Sequence, residues 1–313
     1  YEGTLDQLYN QNFKTFIQYS RQDTALLDKI DKKLRFIALA SELAHANTVL
    51  LQTTMGAVAV IEQAIINEAH EQGMVVPNRK QRLTDDDTAA AGAYVAYPKK
   101  GIHEYVGAID INSLYPSAIR ALNMAQETIV GQLVPEYTDE ELTNRMKLEK
   151  MSFADAWLGK FGTNEYEMVM EKDVNKMMKL EMEDGSNLDV TGADVYNLIF
   201  NSGQPWCISS NGTIFKTDFK GVIPGLLERW YAERQELQAK KKTATEQEEI
   251  AFWDKRQLVK KINLNSLYGA VLNPGCRFFD KRIGQSTTLT GRRITRHMGA
   301  KVNELLTGRY DHT

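Results

Sequence analysis

The chain has only two cysteines in its 313 residues, Cys207 and Cys276, 69 positions apart. Two thiols so far apart make neither a disulfide framework nor a zinc site, which excludes a small secreted scaffold and a metal finger. Long apolar runs are missing as well. The longest, Met55 to Ile61, stops at Glu62, far short of the roughly 20 residues that a membrane span needs. No basic-then-apolar leader opens the sequence, so no membrane and a reducing compartment are expected. Repeats and low-complexity tracts are also lacking, which argues against a solenoid or a disordered chain.

What is present is an ordinary globular balance, 42% hydrophobic and 25% charged, in a length that suits about two domains. The net charge of −3 hides an uneven distribution. Glu136 to Asp194 carries 15 acidic and 7 basic residues, whereas Lys255 to Arg309 carries 12 Lys or Arg against only Asp280 and Glu304. The pattern suggests an acidic insertion beside a surface made for polyanions. Phe278, Phe279 and several hydroxyls interleave the basic residues. That mixture suits stacked bases and phosphates, although two phenylalanines serve a core equally well.

Residues 5–72 carry a helical period, with Leu26, Leu27, Ile30, Leu34, Ile37 and Ala40 at three- and four-residue steps and Gly73 closing the region. Residues 81–92, with Asp85, Asp86 and Asp87, have linker composition. Two strand-like runs follow, Ala93 to Tyr97 and Glu104 to Ile111. A turn over Asn112 to Ser117 then leads into a helix through Leu122, with Pro116 in its first turn. Residues 133–204 hold seven of the eleven methionines and most of the acid excess, and read as an accessory insertion. Pro224 opens a helix to about Lys242, and a short Thr-Ala-Thr joint turns it into a second helix from about Glu246 to Leu272. Two long helices so joined predict an antiparallel hairpin. A strand-like patch around Phe278 and a basic helix over about 288–306 complete the pattern.

Asp110 ends the second strand-like run among small and apolar neighbours, where an ionised carboxylate needs a cation or donors. The chain then turns into a helix whose first amides favour phosphate. A carboxylate for Mg²⁺ beside amides for phosphate is what metal-assisted phosphoryl transfer requires. A strand-end aspartate capping a helix is the plainer alternative. Tyr115, in the same turn, is placed to stack against a sugar. Lys261, Asn265 and Tyr268, at offsets of 0, 4 and 7 residues, share one helical face. That face offers a cation, an amide and an aromatic plate, as a nucleoside triphosphate would need, and Arg234 on the partner helix can add a second cation. A polar face with Tyr268 half-buried is the alternative. Tyr19 and Asp23, one turn apart, form a weaker pair, able to share a metal-bound water or simply to sit on a helix surface.

These segments carry a resemblance. Asp110 to Ser117, DINSLYPS, resembles motif A of the family B DNA polymerases, and Lys261 to Gly269, KINLNSLYG, resembles their motif B, in the right order and 151 positions apart. ETIVG after the first, SSNGTIFKTDFKGVIP before the hairpin and RFFDKR after the second are similar to replicative polymerases of T-even-type phages. YSRQD falls where the third exonuclease motif belongs. The resemblance implies an α+β, multidomain fold. The exonuclease domain would end over 1–36 and a helical connector would span 37–81. The palm, with an antiparallel sheet and the insertion at 133–204, would span 82–220, the fingers 221–273, and more palm 274–313.

It further implies template-directed DNA synthesis, by attack of a primer 3′-hydroxyl on the α-phosphate of a dNTP with two Mg²⁺ ions. Asp110 and the Ile111 carbonyl would hold metal, and the Ser113 and Leu114 amides the triphosphate. Tyr115 would exclude a ribose 2′-hydroxyl. Lys261 and Arg234 would neutralise charge, Asn265 would support the phosphates, and Tyr268 would pack by the nascent base pair. Tyr19 and Asp23 would belong to the proofreading site. The implied partners are primer–template DNA, a dNTP and a sliding clamp, in the cytoplasm (that of the host cell for a viral protein). Three departures accompany the likeness: no D-T-D motif follows motif B, the first two exonuclease motifs are absent, and Gln238 stands where the family usually has lysine. The chain is therefore expected to be inactive alone, as part of a longer polymerase or as a split subunit completed by a palm and thumb chain.

Overall fold

The structure, a computed structural model, describes residues 3–79, 100–134, 175 and 177–310. Thr4 opens α1 (Leu5–Gln11) with a capping box, its hydroxyl accepting from the Gln7 amide at 3.3 Å and its own amide donating to Gln7 Oε1 at 3.2 Å. Asn12 then caps α2 (Phe13–Leu34), its Oδ1 accepting from the Thr15 amide. Arg35 and Thr48, at φ of 54° and 55°, bracket α3 (Phe36–Asn47). A 3₁₀ turn over Leu51–Met55 leads to α4 (Ala57–Glu71), and Gly73 follows at φ 71°. The helical region expected over 5–72 is thus present, divided where polar caps and left-handed residues interrupt the period.

A short helix, α5 (Leu114–Ala121), precedes an antiparallel sheet of β1 (Ile129–Leu133), β2 (Met177–Met182), β3 (Asn187–Thr191), β4 (Trp206–Ile208) and β5 (Thr213–Lys216), in the order β3-β2-β1-β5-β4. A single helical turn, α6 (Gly192–Tyr196), lies between β3 and β4. The hairpin follows as α7 (Val222–Thr243) and α8 (Gln247–Val271), and α9 (Lys281–Thr307) comes last. The α+β class and the two-helix hairpin stand as expected. Among the described residues no helix is long and apolar enough to cross a membrane.

One core holds the helical half together. Ile61, Ala64 and Ile65 of α4 pack with Leu226, Leu227 and Trp230 of α7, Leu264 and Leu267 of α8, and Ile119 of α5. Burying the Ile and Leu side chains among these contributes about 1.5–3 kcal/mol each. A second core under the sheet joins Val130, Leu133, Leu180, Val195, Ile199 and Ile214. Between α3 and α8 lies a buried amide pair: Asn263 Nδ2 donates to Asn47 Oδ1 at 2.9 Å, and Asn47 Nδ2 to Asn263 Oδ1 at 3.3 Å. Mutual satisfaction removes the cost of burying two amides and sets the register of α8 on α3.

The base of the hairpin is fixed by the turn after α5. Asn123 Nδ2 donates to the carbonyls of Lys216 and Phe219 at 2.8 and 2.7 Å, while its Oδ1 accepts from the Gly221 amide at 3.0 Å. Glu127 Oε1 accepts from the Val222 amide at 2.6 Å, placing a carboxylate on the start of α7. Gly221 sits so close that a Cβ there would meet Ala125 Cβ at 2.8 Å.

Three expectations are corrected. Residues 104–111 form no strand; they run irregularly, with Tyr105, Val106 and Ile109 exposed. A strand-like run makes a strand only where a neighbour supplies the hydrogen-bond ladder, and none of the described strands pairs with this segment. Around Phe278 the chain makes turns, not a strand, and both Phe278 and Phe279 are buried in the main core rather than presented to bases. The last helix begins at Lys281, seven residues before the expected start, because Asp280 caps it by accepting from the Arg282 amide at 2.9 Å. The expected linker and the run Ala93 to Tyr97 lie outside the described residues, as does most of the acidic stretch. Its later part is built into the sheet, β2 pairing with β1 at Gly131↔Met182.

Candidate functional site

Ser113 adopts a left-handed backbone, φ 53°, and α5 starts immediately after it. The Ser113 hydroxyl donates sideways to Asn112 Oδ1 at 3.2 Å, so α5 begins with no side-chain cap. Its first-turn amides are the kind of donors a phosphate uses. Asp110, three residues earlier, is exposed, and the neighbouring Ile111 half-buried.

The first turn of α5 and the last turns of α8 meet. The rings of Tyr115 and Tyr268, 153 positions apart in sequence, stack with centroids 4.4 Å apart and planes at 29°. The Tyr268 hydroxyl hydrogen-bonds Thr288 Oγ1 on α9. Burial pushes the Tyr268 phenol up to about 12, the neighbouring Tyr115 adding to the effect and the Thr288 bond opposing it. Burial also raises Tyr115. Both rings are therefore neutral plates at ordinary pH.

Up α8 from Tyr268, Asn265 and Lys261 are exposed. Gln257, one turn before Lys261, accepts from Arg234 Nε of α7 at 3.4 Å. Arg234 is thereby held against the same row of α8 that carries Lys261, Asn265 and Tyr268. Neighbouring cations are occupied otherwise: Lys260 pairs with Glu233, Lys241 lies 2.6 Å from Asp254, and Lys240 lies 5.0 Å from the Trp253 ring centre. The two lysines nearest Gln238 thus brace the hairpin.

The basic excess after Lys255 divides in the same way. Arg277 donates to Glu62 and to the Pro77 carbonyl, Arg282 to Asp280 and Glu183, and Arg256 lies 3.7 Å from Glu42. Such cations hold elements together, so the polyanion surface is smaller than the local charge count suggests.

Tyr19 and Asp23 are both exposed on α2, which buries none of its side chains. Among the described residues no group of three or more His, Cys, Asp or Glu side chains is placed to hold a metal ion. Mg²⁺ takes near-octahedral oxygen ligands, and Asp110 with the Ile111 carbonyl falls short of that, so these residues by themselves do not make a magnesium site. Sequence reading missed Asn47, Asn263, Thr288 and Gly291. Asn263 stood within the K-x-x-x-N segment as an unassigned position, and Thr288 and Gly291 belong to the hydroxyl-rich run STTLTG, whose helical spacing puts them on one face.

The sequence profile of DNA polymerase family B matches residues 47–311. Among curated proteins, the chain is similar to the DNA-directed DNA polymerase of Escherichia phage RB69, 23% identical over 98% of this chain and 33% of that protein. The DNA-directed DNA polymerase of Enterobacteria phage T4 is 24% identical over 98% of this chain and 34% of its own length. The DNA polymerase delta catalytic subunit of Oryza sativa subsp. japonica is 25% identical over all of this chain and 24% of its own length. The chain therefore spans about a third or less of the relatives it matches.

Proposed function

We propose, since this chain belongs to DNA polymerase family B, that it supplies the nucleotide-binding half of a DNA-directed DNA polymerase centre. The observation that carries this reading is the Tyr115–Tyr268 stack at 4.4 Å, which joins the two motif segments at one surface. In this reading the Ser113 and Leu114 amides receive the triphosphate, and Lys261 and Arg234 neutralise it with Asn265 in support. Tyr115 rejects a 2′-hydroxyl by occupying its space, and Tyr268 backs the nascent base pair. Primer–template DNA lies along the remaining basic surface, read by base pairing while the protein contacts its backbone.

Members of the family generally use divalent metal ions. Asp110 and the Ile111 carbonyl are the ligands this chain would contribute, with further carboxylates required from elsewhere. The sliding clamp, the proofreading role of Tyr19 and Asp23, and the division into exonuclease end, connector, palm and fingers belong to the same proposal.

The test is steady-state primer extension by the polymerase in which these 313 residues are active, whether one longer chain or two. Replacing Lys261 by Ala removes a charge-assisted contact worth about 1.5–3 kcal/mol, so the dNTP KM is expected to rise roughly ten- to a hundredfold. An unchanged KM defeats the assignment.

A further inference from the structure

Helix α9 does more than support Tyr268. Thr288, which bonds the Tyr268 hydroxyl, and Gly291 lie one helical turn apart on the same face. Gly291 is buried and has helical neighbours on both sides, so no turn or positive φ calls for glycine there. What calls for it is the ring of Tyr115. A Cβ at 291 would lie 2.8 Å from Tyr115 Cε1, 3.2 Å from Cδ1 and 3.4 Å from Leu114 Cδ2. Real carbon contacts are about 3.5–4.0 Å. The first two distances therefore demand movement, and the group that must move is a stiff ring already backed by Tyr268 at 4.4 Å.

We propose that Gly291 is a positioning residue for substrate sugar selection: its missing side chain is the seat into which the Tyr115 edge fits. This rests on the reading of Tyr115 as the group that meets the sugar. One face of the ring is closed by Tyr268 and one edge by α9, so any side chain at 291 drives Tyr115 off its seat toward the open side of the site. An ordinary alanine at this position would otherwise help, since Ala is favoured over Gly in a helix interior. Glycine is thus kept here against helix propensity.

The experiment is a double-mutant cycle between Gly291→Ala and Tyr115→Val in the active polymerase, with dNTP and rNTP kinetics measured for all four proteins. Misplacement by about an ångström at a reacting centre can cost about a hundredfold. For a shift of the sugar seat, Gly291→Ala is expected to raise the dNTP KM about tenfold with kcat within about twofold, and not to lower the deoxy-over-ribo preference. In the Tyr115→Val background, where the clashing edge is gone, the same substitution is expected to change KM by less than about twofold. A KM left unchanged by Gly291→Ala overturns the proposal, as does a penalty that persists in the Tyr115→Val background, since that would mark general packing. The underlying reading is judged separately: Tyr115→Val must by itself increase rNTP use. If it does not, the sugar-gate assignment fails, whereas coupling between the two sites would still establish the seat.

Discussion

Single side chains here divide sharply between those held by the fold and those left to meet something else. Lys240 and Lys241 illustrate the first kind, one over Trp253 and the other on Asp254. Lys261 and Asn265, exposed on α8, illustrate the second. Gln238 lies one turn beyond Arg234 on α7 and is half-buried. With the neighbouring lysines occupied, a cation at 238 would add to a site that already has Arg234. Gln238→Lys is accordingly expected to lower the dNTP KM by about two- to fivefold, the range of one exposed charge contact. A KM that rises instead would place position 238 outside the phosphate path.

Elements are joined by a few buried polar groups, and these set the cost of disturbing the hairpin. Asn123 satisfies three backbone groups around the start of α7, whereas Glu127 meets, among the described residues, only the Val222 amide. Truncating Asn123 to Ala leaves two carbonyls and an amide without their partner and is expected to cost roughly 2–4 kcal/mol. Truncating Glu127 removes one charged cap, about 1 kcal/mol. Urea melts of the two variants should preserve that order. The reverse order would mean that the charge at the helix start, not the buried amide, anchors the hairpin. At this level the sequence was readable wherever local chemistry decided, as at Gly73 closing the first helical region or the short joint between α7 and α8. It misled over 104–111, where a strand-like run has no ladder partner among the described strands. For Phe278 and Phe279 it left stacking on bases and burial in a core equally open, and the core took both rings.

Across the molecule, Glu62 of α4 ties distant parts together. Its carboxylate accepts from the Arg277 amide at 3.1 Å and from Arg79 Nη2 at 2.9 Å. Burial alone would raise its pKa, but the Arg277 amide and the Arg79 guanidinium outweigh that and hold it below the ordinary carboxylate value. A depressed folded pKa stabilises above the unfolded value of about 4.3 and loses that stabilisation as pH falls through the folded one. Glu62→Gln should therefore lower the melting temperature at pH 7 and flatten its decline at acidic pH. An acid limb as steep as the parent's would assign the decline to other carboxylates. Residues 1–313 by themselves are expected to extend no primer, because among the described residues Asp110 stands without enough further ligands for a metal pair. Robust extension from these residues alone would refute that. Mixing with a separately made palm and thumb piece distinguishes a natural split, which should restore activity on simple mixing, from a continuous chain, which should not.

Family and helical hairpin were legible in the sequence alone, and the candidate site residues could be singled out there, because both motifs are short runs whose spacing follows from one helix or one turn. Asp110, Tyr115, Lys261 and Asn265 needed no tertiary knowledge to be singled out. Only the tertiary structure decided which cations are spent in ion pairs, that Asn47 and Asn263 satisfy each other across 216 positions, and that Gly291 gives Tyr115 its place. Those outcomes depend on what a side chain meets from a distant part of the chain, and no local pattern encodes a contact whose other half lies two hundred residues away.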